Sequence, residues 1–211
     1  MHVVTDAPTH QVFINCPFDQ KYRDTFYAVV FAVMRCGFEP RSALEAEGSA
    51  NQRYNRILEL IRACPLGIHD LSRVELTKKS LPRFNMPFEL GLYAGAKHFG
   101  DAHQQQKDFL ILEGRRNQCQ DSCSDLGGVD PMNHGGRPMK AVEHVRTWLN
   151  THVQKGLPGP KALRGDYTSF NKDMPSIMAD WRIRLNEVSF QDFKKAAGKW
   201  LALKEKLAAG V

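Results

Sequence analysis

The chain predicts an α/β fold: an open, doubly wound parallel sheet with a helical extension towards the C-terminus. Two observations carry this. Short apolar runs bounded by Gly, Pro or polar residues recur at 11–17, 38–45, 66–72 and 107–114, and the segments between them place apolar residues at helical spacing. Parallel strands need long crossovers, usually helices, so this alternation implies helices on both faces of a parallel sheet. A length of 211 residues suits one core domain with an appendage. The expected division is an α/β domain over 8–155 and a helical extension over 156–211, packed on that core.

The first strand is QVFINCP, 11–17, ended by Pro17. A helix follows, with Tyr22, Phe26, Val29, Val30 and Val33 on its apolar stripe and Gly37 as a stop signal. FEPRSALE, 38–45, reads as the second strand. Ser49 then serves as N-cap to a helix whose stripe is Tyr54, Ile57, Leu58 and Ile61, ending before Pro65. LGIHDLS, 66–72, is the third strand, and TKKSLPRFN, 77–85, a loop. The next helix, FNMPFELGLYAGAKHF over 84–99, has Asn85 as cap and Pro87 in its first turn. KDFLILEG, 107–114, is the fourth strand.

The Gly-, Asn- and Asp-rich stretch 113–137 is long for a structureless loop, and long loops often carry function. An amphipathic helix over 139–153, a Pro- and Gly-containing linker over 155–166, and two helices over 169–188 and 189–208 complete the expected order. In the last helix Phe193, Ala197, Trp200, Leu201 and Leu207 can face inward while the lysines form a solvated face. Trp148, Trp181 and Trp200 serve either core packing or an oligomer surface.

The formal net charge is +6, but the cations are spread along the chain and no nucleic-acid motif is present, so nucleic acid is not an expected partner. No run of apolar residues is long enough to cross a bilayer, and the opening residues lack a secretory layout. Cys16, Cys36, Cys64, Cys119 and Cys123 are odd in number and scattered, which suits free thiols. A cytoplasmic, non-membrane protein is expected. The spacing of Cys119, Cys123, His134 and His144 matches no strong zinc pattern, so neither a metal nor a bound cofactor is expected.

In open α/β sheets the ligand lies beyond the carboxyl ends of the strands. That rule points to 15–19, 41–47, 69–73 and the loop after Leu112. Glu89 belongs with them, an acid among Phe88, Leu90, Leu92 and Tyr93. In a first helical turn it would meet unpaired N–H groups and the positive helix end, either as a simple cap partner or as a functional acid. The apolar surroundings favour the functional role, because burying an unpaired charge is expensive. Phe18 is a candidate stacking group, and Asp70 and Ser72 can bond ribose hydroxyls or merely cap a turn. Arg41, Arg53 and Arg56 are candidates for a diphosphate, or ordinary surface charges. Cys16, at a strand end without a His and Asp partner set, is a packing residue.

With these residues in place, VFINCPFDQKYRDTF, GFEPRSALE, IHDLSR and RFNMPFELGLYAG together resemble the bacterial TIR-like family, itself similar to nucleoside 2-deoxyribosyltransferases. The resemblance spans about 10–115 and implies a TIR/flavodoxin-like fold. It implies that Glu89 is the catalytic acid and that Asn15, Pro17, Phe18, Arg41, Asp70, Ser72, Phe84 and Met86 lie beside the substrate. It further implies NAD as substrate rather than cofactor, with cleavage of the nicotinamide–ribose bond to give ADP-ribose or a cyclic or conjugated ADP-ribose signal. Homo-oligomerisation, a phage-derived trigger and a downstream effector, as in Thoeris-type anti-phage defence, are implied with it. The alternatives are a nucleoside 2-deoxyribosyltransferase using the same acid, or a TIR-like module that binds a nucleotide or protein without turnover. The helices after 155 lie outside a minimal TIR domain, and 113–137 has no counterpart in it.

Overall fold

A computed structural model describes residues 10–45, 50–73, 83–125 and 129–209. The expected cap Ser49, residues 74–82 with most of the expected loop, and 126–128 lie outside the described residues.

Five strands, β1 (Gln11–Asn15), β2 (Glu39–Arg41), β3 (Leu66–Asp70), β4 (Asp108–Glu113) and β5 (Met132–Asn133), form one parallel sheet in the order β2-β1-β3-β4-β5. Between and after them come α1 (Arg23–Arg35), α2 (Ala50–Ala63), α3 (Asn85–Phe99), α4 (Gln118–Ser122), α5 (Pro138–Leu149), α6 (Pro160–Asp180) and α7 (Phe190–Ala209). This is the flavodoxin-like strand order, in which the chain reverses direction across the sheet between β1 and β3.

Period-two alternation assigns each strand residue to a face. Val12, Ile14, Leu66, Ile68, Leu110 and Leu112 pack with α1 and α5. Phe13 and Phe109 face the other way, towards Ile57 and Leu60 of α2 and Tyr93 of α3, and Ile111 packs on Met86 and Leu90. The register puts Asn15 opposite His69 and Asp70 opposite Leu112. Gly67 leaves room for this second face: a Cβ there would meet His69 Nε2 at 2.9 Å and the Tyr93 ring at 3.0 Å.

Gly37, at φ +82°, ends α1 as the sequence predicts. Its N–H bonds the Met34 carbonyl and that of Phe38 bonds the Val33 carbonyl, so the carbonyls left open by the helix end are satisfied.

Four expectations are corrected. The second strand stops at Arg41, because the Ser42 N–H and the Arg41 guanidinium both turn onto Glu45 and the chain enters a short 3-10 turn. The stretch 113–137 is not structureless: it contains α4 and the fifth strand, whose two residues extend the sheet. The linker 155–166 becomes helix from Pro160, which as first helical residue needs no N–H partner, and its Leu163 is fully buried. That helix ends at Asp180 rather than 188, through a left-handed Arg182 whose N–H bonds Ala179, a role for which glycine is the usual signal.

The helices α6 and α7 complete the α1/α5 side. Phe31 of α1 stacks on Phe170 at 5.2 Å, and Tyr27 stacks on Phe193 at 4.2 Å. Asp166 joins Arg35 of α1, at 2.7 Å, to Lys204 of α7. Trp148 is buried and Trp181 and Trp200 pack on the same core, whereas Leu207, expected inward, is exposed.

Candidate functional site

A cleft of about 490 Å³ opens at the carboxyl end of β1, on the α2/α3 side of the sheet. Asn15, Cys16, Pro17 and Phe18 form one wall. Arg53 of α2 stands opposite, and Arg83, Phe84, Asn85, Met86 and Glu89 line the remainder. It lies at the strand-order reversal, where ligands bind in sheets of this order.

Glu89 is 7% exposed and has no hydrogen bond or ion pair among the described residues. Burial pushes its carboxyl up to about 7, against the weaker opposing pull of Arg53. The first-turn placement is corrected. The helix starts at Asn85, which makes Glu89 its fifth residue, and Phe84, not Asn85, is the cap position. The positive helix end fades within the first turn, so it does not hold this acid ionised.

The helix is fixed to the sheet by a buried strut. Asn15 donates one amide hydrogen to the Met86 carbonyl at 2.9 Å and the other to His69 Nδ1 at 3.0 Å. His69 is therefore the Nε2–H tautomer. It is fully buried among Phe13, Tyr93 and Phe109, and burial lowers its basicity to about 3. Neutral His69 serves here as a hydrogen-bond acceptor.

Within the lining, Phe18 and Phe84 are 36% and 67% exposed, offering flat apolar faces to a planar ring. Arg53 sits 5.8 Å over the Phe18 ring and Tyr54 stacks on Phe88. Tyr54 is exposed rather than part of the α2 core stripe. Cys16 is buried, and burial followed by the charges of Asp70 and Glu89 raises its thiol well above the usual range, which disfavours a thiolate nucleophile.

The structure thus gathers Asn15, Pro17, Phe18, Phe84 and Met86 about Glu89, and separates the other three candidates. Arg41 is committed to Glu45 by paired bonds of 2.8 Å and to Gln11, and does not line the cleft. Asp70 and Ser72 fall on the opposite face. Asp70 shares the parity of Leu66 and Ile68, which turns it towards α1, whereas Asn15 and His69 turn towards α3. Asp70 is fully buried, receiving the Tyr22 hydroxyl, His134 Nε2 at 3.0 Å and the Ser72 N–H at 2.8 Å. Arg56, the remaining diphosphate candidate, is paired with Glu45 and Glu59.

Ser72, His134 and Asp70 do not form a nucleophilic triad. Ser72 Oγ and Asp70 both approach Nε2 of His134, while Nδ1 accepts the Gly136 N–H at 3.1 Å. No ring nitrogen remains to take a proton from the serine.

Sequence reasoning missed Arg83, His69, Tyr22 and the polar role of His134. His69 alone left a trace, as a histidine at an inward position of an otherwise apolar strand. No group of His, Cys, Asp or Glu among the described residues is arranged to hold a metal ion, and no described helix is long and apolar enough to cross a membrane. No protein-family model matches the chain, and the comparison with curated proteins finds no match.

Proposed function

We propose that the chain is a TIR-type enzyme that cleaves the nicotinamide–ribose bond of NAD, with Glu89 as the catalytic carboxylate. One observation carries the reading: a buried carboxyl without a protein partner faces a ligand-sized cleft at the strand-order reversal. The resemblance of 84–95 to the TIR catalytic helix supplies the reaction class.

Breaking this bond places positive charge on the ribose C1′ as nicotinamide leaves with the bonding electron pair and departs neutral, so the leaving group needs no proton. Water then adds to C1′ and loses a proton, giving ADP-ribose; an adenine ring nitrogen as acceptor gives a cyclic product instead. Glu89 in its ionised form stabilises the developing cation, a contribution on the order of 3 kcal/mol in a dry site. The pyridinium charge of bound NAD itself favours that ionised form. Phe18 and Phe84 offer stacking faces, and Arg53 suits a diphosphate, while Arg83 is held by Asp19 at 2.8 Å; the cation at Arg53 favours a dinucleotide over a nucleoside. In this reading the product is a defence signal, made on a phage-derived trigger by an oligomer of the chain in the cytoplasm.

The test is nicotinamide release from NAD by the purified chain, alone and with lysate of phage-infected cells. Glu89→Gln is expected to lower release at least a hundredfold while the fold persists. Undiminished release in that variant removes Glu89 from the chemistry.

A further inference from the structure

A second cavity, about 550 Å³, opens on the other side of the sheet edge, at the exits of β3, β4 and β5 and the start of α1. It is separated from the Glu89 cleft by Asp19, which pairs with Arg73 of this cavity at 3.6 Å and Arg83 of the first at 2.8 Å. Nothing in the proposed reaction uses it.

Its lining has a definite charge. Lys21, Arg73 and Arg115 contribute three cations, and the start of α1 presents Tyr22 and Thr25 at its positive end. Three acids are nearby, and Asp19 already draws on Arg73 through a long 3.6 Å contact. Asp121 pairs with Arg115 at the rim, where both are more than half exposed and the pair contributes little. Asp70 lies beneath the floor with both carboxylate oxygens engaged.

The floor also holds an uncommitted donor. Because Nδ1 of His134 accepts the Gly136 N–H, the ring hydrogen is on Nε2 and is shared between Asp70 and Ser72 Oγ at 2.7 Å. Ser72 Oγ is thereby an acceptor from His134, and its own hydroxyl hydrogen has no acceptor among the described residues. Gly114, Gly135 and Gly136 line the same wall without side chains, so a ligand can approach the backbone there.

We propose that this cavity is an anion site for a phosphoryl or diphosphoryl group, held by Lys21, Arg73 and Arg115 and oriented by the Ser72 hydroxyl. The group belongs either to a second phosphorylated ligand or to the dinucleotide whose ribose meets Glu89, its diphosphate then lying here rather than at Arg53.

The experiment is amide NMR titration of the full chain with inorganic pyrophosphate. Saturable shifts are expected at Ser72, Gly114, Gly135 and Gly136. The double substitution Lys21→Glu and Arg115→Glu, both at exposed positions, should weaken binding at least tenfold, and Ser72→Ala several-fold. Glu89→Gln should leave it unchanged, so this outcome is independent of NAD cleavage. Shifts confined to the Glu89 cleft, the absence of saturable shifts, or equal affinity in the double variant would overturn the proposal. ADP-ribose in the same format separates the sources: one ligand shifting both cavities identifies a shared dinucleotide, and shifts in the first cleft alone with pyrophosphate still binding here identify a second ligand.

Discussion

At Glu89, the proposed catalytic carboxylate, stability and the proposed function pull in opposite directions. Its carboxyl titrates near 7 in the fold against an ordinary value of 4.5, so the folded state holds the proton more tightly than the unfolded chain. The resulting penalty is absent below about 4.5, grows as pH rises, and is complete above about 7, where it reaches on the order of 3 kcal/mol. Glu89→Gln removes the charge and keeps the shape. Thermal unfolding should therefore show the variant more stable than the wild type by about 1–3 kcal/mol at pH 8, with the gain vanishing at pH 4. A gain independent of pH would mean that the carboxyl is not held in a water-poor site. The sequence disclosed the acid and its apolar neighbours, but not its turn: Asn85 reads as a cap, and only the backbone shows helix beginning there.

At the scale of elements, the Asn15–His69 strut explains why a loop at the end of β1 and the first turn of α3 keep a fixed relation. His69→Leu preserves most of the packing and deprives Asn15 of an acceptor. Leaving that buried amide hydrogen unpaired costs about 1–3 kcal/mol, offset in part because the buried, unpartnered Nε2–H of His69 is removed with it, and the net loss, measurable by urea denaturation, should loosen the Glu89 helix. His69→Gln, which can return an acceptor, should recover part of the loss. The longer strands β1, β3 and β4 were legible because each is a short apolar run bounded by Gly, Pro or polar residues. The two residues of β5 have no period to detect. Parity also explains the division of the candidates: Asp70 lies at the predicted strand exit, yet which face it takes depends on register, and register places it with Tyr22 on the far side from Glu89. Composition misled at 155–166, where Pro160 starts a helix instead of marking a linker.

For the whole molecule, the shared core decides where the chain can be cut. Phe31, Phe170, Phe193, Val142 and Trp148 belong to one buried cluster that joins α1 and α5 to α6 and α7. A chain ending at 155 would expose that face, and is expected to lose near-UV circular dichroism and sharp amide dispersion; a well-dispersed spectrum would show instead that 8–155 folds alone. The same arrangement leaves the carboxyl edge of the sheet free for two cavities of different character, one around a lone acid and one lined by cations. The proposed catalytic role belongs to the first, and the measurement that tests it is the pH dependence of nicotinamide release from NAD, compared between the wild type and Glu89→Gln with lysate of phage-infected cells. With Glu89 acting as the ionised carboxylate, kcat/KM is expected to rise about tenfold per pH unit below 7, to level off above it, and to fall at least a hundredfold in the variant. Release that is flat across pH 5 to 9, or retained by Glu89→Gln, would contradict it.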